Sequence, residues 1–103
     1  MTIVAPTHAP RVGRRWRYVV RARDRHGRAV RGRLTVQVVD PIGQRHAVQY
    51  ANTKRNIVNW PFSGRFSDFI AWPLTARRYR LVLVAAVRAG AGAGEARFEV
   101  RPR

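Results

Sequence analysis

Trp16-Arg17-Tyr18-Val19-Val20-Arg21-Ala22, the polar Asp24-Arg25-His26-Gly27-Arg28, and Val30-Arg31-Gly32-Arg33-Leu34-Thr35-Val36-Gln37-Val38 together decide the fold. Read in twos, Trp16, Tyr18, Val20 and Ala22 form one row, and Val30, Gly32, Leu34, Val36 and Val38 continue it after the polar break. Period-two alternation on both sides of a Gly-containing break predicts a β-hairpin. Both apolar rows are even-numbered, so opposed residues must sum to an even number if the rows are to share a face. That register sets Val20 against Gly32, Tyr18 against Leu34, Trp16 against Val36 and Arg21 against Arg31. The expectation is a hairpin with an apolar face for a core. Its other face carries Arg17, Arg21, Arg23, Arg31 and Arg33, either merely solvated or held ready for a partner.

The same alternation recurs downstream. Asp40-Pro41-Ile42-Gly43 suits a type I turn, and His46, Val48 and Tyr50 suggest a third strand from Gln44 to Ala51. Asn52 to Asn59 is polar and turn-like, and Trp60-Pro61-Phe62 is an apolar cluster before Ser63-Gly64. Phe66, Asp68, Ile70 and Trp72 form a further row that Pro73 should end. Asp68 is the misfit there, and we expect it to hold a loop N–H or an arginine. Tyr79 to Arg88 reads as strand or helix; three valines and strand-rich surroundings favour strand. Ala89 to Gly94 reads as a flexible loop, and Ala96, Phe98 and Val100 as a closing strand. Residues 1–14, with Pro6 and Pro10, read as an extended N-terminal arm, and residues 15–103 as the folded domain. The arm is either a frayed end or a segment that orders against a neighbouring subunit.

These elements resemble immunoglobulin-like domains of bacteria and their phages. The likeness rests on Trp16-x-Tyr18-x-Val20, on Gly27 before Val30-x-Gly32-x-Leu34-x-Val36-x-Val38, and on Gly64-x-Phe66-x-Asp68-x-Ile70-x-Trp72-Pro73. It covers roughly residues 12 to 101 and lacks both the cysteine pair and a clear tyrosine corner. It implies an all-β fold: a single antiparallel immunoglobulin-like β-sandwich of about seven strands. It further implies a small capsid-decorating or tail-associated subunit, placed in a virion or the host cytoplasm and oligomeric within its assembly.

Composition narrows function from another side. Twenty arginines and Lys54 face five acids, a formal charge of +16 in 103 residues. Such a charge speeds association with anionic partners. No stretch reaches the roughly 18 apolar residues of a membrane span, and the first dozen residues carry no secretion signal. There is no cysteine, so neither disulfides nor thiolate metal sites arise. The three histidines lack metal-ligand spacing, the serines lack nucleophile context, and no two acids suggest an acid–base pair. The expectation is therefore no enzyme, no cofactor and no metal. The candidate partner-binding residues are Arg11, Arg14 and Arg15 at the root of the arm, Arg17, Arg21, Arg23, Arg31 and Arg33 on the hairpin, and Arg77 and Arg78 at a later turn. Arginine bonds carboxylate and phosphate alike. An acidic protein surface of a larger assembly is the first expectation and a nucleic-acid backbone the second.

Overall fold

The chain forms eight strands in a computed structural model that describes residues 1–90 and 92–103. They are β1 (Thr2–Val4), β2 (Arg15–Arg21), β3 (Arg31–Val39), β4 (Arg45–Ala47), β5 (Trp60–Ser63), β6 (Arg65–Ala71), β7 (Leu81–Ala89) and β8 (Gly92–Val100). Short 3-10 turns occupy Tyr50–Asn52 and Leu74–Ala76. Hydrogen bonds link the strands in the order β1-β2-β6-β5-β3-β7-β8, with β4 also on β3. The path folds over between β5 and β6, where only Ser63 and Arg65 pair, around Gly64. The result is two antiparallel layers, β1-β2-β6 and β5-β3-β7-β8.

Gly64 makes that fold-over sterically feasible. Its φ is +75°, and a Cβ there would lie 2.7 Å from the Ala29 side chain. Its N–H donates to the Val30 carbonyl at 2.8 Å, and its carbonyl accepts from Ala22 N–H at 3.0 Å. Both layers are thus stitched to one bare backbone position.

The alternation was a correct guide to facing. Trp16, Tyr18, Val20, Leu34 and Val36 are all buried in one core, with Phe66, Leu83, Ala85, Val87 and Val100. The expected pairing is not what forms. β2 pairs with β1 and β6, setting Trp16 against Ile70, Tyr18 against Asp68 and Arg21 against Arg65. β3 pairs with β4, β5 and β7. The two halves of the predicted hairpin meet only at their loop end, through the Arg23–Ala29 bridge, and then part into opposite layers. Two rows of equal parity can meet side by side in one sheet or face to face across a sandwich. Facing buries both, because each then covers the other.

Both loops that leave these strands use one device. The Asp24 carboxylate accepts from the N–H groups of His26 and Arg28 at 2.8 and 2.9 Å. The Asp40 carboxylate accepts from Ile42 and Gln44 at 3.0 and 2.9 Å. In each loop the glycine N–H closes the turn on the aspartate carbonyl, as the type I turn at Asp40 requires.

Residues 1–14 do not project as an arm. β1 lies on the edge of β2, pairing Ile3 with Val20. The chain then crosses to the other layer. His8 and Pro10 carbonyls accept from Arg101 and Arg103 N–H at 2.7 and 2.9 Å, and Val12 N–H donates to the Arg103 carbonyl at 3.0 Å. The prolines suit this course, since an edge segment need not donate from every residue. Of the segment 79–88, Leu81 onward is strand, as its valines favoured, while Tyr79 and Arg80 lead into β7 without pairing. The expected flexible loop from Ala89 to Gly94 is largely strand as well: pairing runs to Arg88↔Ala93 and Ala89↔Gly92, with Ala91 outside the described residues.

Candidate binding surface

Strand direction gathers the arginines. β2 ends, and β3 and β6 begin, at the end of the sandwich marked by Gly64, where β7 also ends. Arg21 and Arg65 are direct cross-strand partners on the outer face of the first layer. Arg33 and Arg88 are direct cross-strand partners on the outer face of the second, with Arg31 two residues away along β3. The loop between β2 and β3 adds Arg23, Arg25 and Arg28, all exposed. Eight of the twenty arginines therefore share one end of the molecule.

The acids near this end are already engaged. Asp24 spends its carboxylate on its own loop. Glu95 pairs with Arg97 at 2.8 Å, and the remaining arginine–carboxylate ion pair among the described residues is Arg80–Glu99 at 2.7 Å. Like charges directly opposite on a sheet are unfavourable by roughly 0.2–1 kcal/mol each. Two such pairs with no acid between them leave a field that an external anion would relieve. Beside Arg31, Arg33 and Arg88 the surface is also hollow, around Gly32 and Pro61. Gly32 is required there: a Cβ would overlap the Arg88 carbonyl.

The single arginine face expected of a hairpin is not present. Arg17 and Arg21 stand on the first layer, while Arg31 and Arg33 stand on the second, because β2 and β3 part company. Arg21, Arg23, Arg31 and Arg33 nonetheless converge on the shared end. Arg17 is held mid-strand, donating to Ser67 Oγ at 3.3 Å, and the Arg15 guanidinium lies 4.5 Å from the centre of the Phe69 ring. Arg11, Arg14, Arg77 and Arg78 belong to the opposite end. There Val12 and Arg78 N–H donate to the carbonyls of Arg103 and Pro102. Arg25, Arg28, Arg65 and Arg88 escaped the reading of the sequence. For Arg65 and Arg88 no local signal exists, since each acquires its arginine partner from a strand distant in the chain.

Asp68 does what its odd place in an apolar row suggested. Both its oxygens accept from Ala51 N–H, at 3.1 Å each. Ala51 and Asn52 carry positive φ, 48° and 58°, a conformation unfavourable for residues with a Cβ. The buried carboxylate thus secures a strained turn. Opposite it in the ladder, the Tyr18 hydroxyl is buried with no hydrogen-bond partner. Burial first, and the Asp68 charge second, raise that phenol far above its ordinary range.

Comparison with protein families, with characterised proteins and with solved structures finds no match to this chain.

Proposed function

We propose that this chain is a non-enzymatic interaction protein that docks its arginine-rich end on an acidic surface of a larger assembly. The observation that carries this is the convergence of Arg21–Arg65 and Arg33–Arg88, two opposed like-charge pairs, with the arginines of the Asp24 loop. The acids support a binding role over a catalytic one. Asp24 and Asp40 hold loops, Asp68 holds the Ala51 turn, and Glu95 and Glu99 pair with arginine. His46 is bonded to Asp40 and His8 to the Glu99 carbonyl.

The immunoglobulin-like reading belongs to the same proposal, and strand order supports it. β1, β2 and β6 in one layer, and β3, β7 and β8 in the other, follow the A-B-E and C-F-G arrangement of such sandwiches. A capsid-decorating or tail-associated subunit is the form the proposal takes under that resemblance. Phosphate-backbone binding is the second reading. It is favoured by the density of guanidinium groups at one end, since duplex nucleic acid carries about one charge per 1.7 Å of axis.

A binding titration separates the two. Wild type and the combined Arg21→Gln/Arg33→Gln/Arg65→Gln/Arg88→Gln variant are titrated against polyglutamate and against duplex DNA, from about 50 to 200 mM salt, with heparin as competitor. Docking on carboxylates requires polyglutamate binding that the variant loses. Binding to DNA alone, with a salt slope that flattens by about one unit per arginine removed, gives the second reading. Equal binding by variant and wild type would refute both.

A further inference from the structure

At the end away from Gly64 the layers are not closed. β4 leaves one edge unpaired, β6 beyond Arg65 pairs on one side only, and between them lies a cleft of about 660 Å³. Its floor is apolar: Val38, Val48, Ile70, Trp72 and Leu81. Its rim carries exposed Ile42 and Tyr79, at 80% and 56% of full exposure. Exposed aliphatic and aromatic side chains beside an apolar hollow are unfavourable in water unless something covers them.

The charges around the cleft say what covers it. Among the described residues none that lines it is arginine or lysine, in a chain with 21 of them. Arg45, Arg77, Arg78 and Arg80 are chain neighbours of lining residues, yet none of them forms the wall. Asp40 is the one anionic lining residue, and His46 Nε2 holds it at 2.9 Å while two backbone N–H groups take its other oxygen. An anionic occupant would find no cation in the wall. A cationic one would meet an already satisfied carboxylate on a protein of charge +16.

We infer that this cleft binds an uncharged, mainly apolar small molecule, with one polar group at the Asp40–His46 rim. Its volume lies within the roughly 300–1,000 Å³ of small-molecule sites, and an apolar lining with a few polar groups is their usual make-up. Trp72 Nε1, on a lining residue, is buried without an acceptor. The site is independent of the arginine-rich end.

Nile red, a neutral apolar dye, tests the inference. The expected result is saturable binding of one dye per chain, with blue-shifted emission unaffected by added salt. Ala47→Trp, which fills the cleft from the exposed strand β4, and Ile42→Asp, which charges its rim, should each weaken binding by about tenfold, the scale of losing one buried aliphatic contact. Thermal melts of both variants establish that they are folded; both positions are exposed. Dye binding that does not saturate, or that both folded variants retain, overturns the inference. So does self-association abolished by the same substitutions, which would make the occupant a second copy. Capture of an extended peptide that excludes the dye and pairs with the edges of β4 and β6 overturns it as well.

Discussion

Arg33 on β3 and Arg88 on β7 face each other directly, flanked in the same row by Pro61 and Ala93. No carboxylate interrupts the row. The arrangement sets a binding function against stability: the pair is useful only when an anion lies across it.

Replacing Arg88 with Thr should therefore raise stability at low salt by about 0.2–1 kcal/mol while weakening polyanion binding. Urea unfolding at low and high salt checks this. The gain should shrink as salt rises, because exposed charges are screened over about 10 Å at 0.1 M. A loss of stability at low salt would show that the guanidinium groups are not in conflict.

Asp68 and Ala51 form the second relationship with a measurable consequence. Asp68→Ala removes the acceptor of a buried N–H and frees a turn with positive φ at Ala51 and Asn52. Hydrogen bonds to charged groups contribute about 1.5–3 kcal/mol, so unfolding in urea should show a loss of that size. Hydrogen exchange at Ala51 should accelerate more than at core strands.

Tyr18 points the other way. Its hydroxyl is buried beside Asp68 with no partner, so Tyr18→Phe removes an unsatisfied group and keeps the ring. Stability should hold or rise, by up to about 1 kcal/mol. A substantial loss would mean that the hydroxyl has a partner after all.

Asp40 gives the pH dependence. Its pKa is lowered, first by the hydrogen bond from His46 and then by the Gln44 and Ile42 N–H groups. A carboxyl with a depressed folded-state pKa contributes stability that is fully present above its unfolded value, about 3.9. That contribution is lost as pH falls through the lower folded value. The Asp40 carboxyl carbon resonance should therefore titrate below the ordinary aspartate value, which an NMR titration would follow. A carboxyl midpoint above that value would contradict the assignment.

Much of this molecule is written locally. Asp24 and Asp40 each stand three residues before a glycine, and each loop is satisfied within its own five residues. The valines of 81–87 favour strand whatever surrounds them. The misfit of Asp68 was visible because an acid in an apolar row needs a reason. Other features were not legible. The arm of residues 1–14 has no pattern of its own, and its place depends on hydrogen bonds to Arg101 and Arg103, at the far end of the chain.

By itself the sequence determined which strand side chains turn inward: Trp16, Tyr18, Val20, Leu34 and Val36 face the core because alternation is a property of each strand alone. Only the tertiary structure decided that the two rows meet across a sandwich rather than along one sheet. It likewise decided that Arg21 finds Arg65 and Arg33 finds Arg88. The physical reason is that facing depends on neighbours in the chain. Partners depend on where the layers fold over, and that turns on whether one bare backbone position, Gly64, lets Ser63 and Arg65 come together.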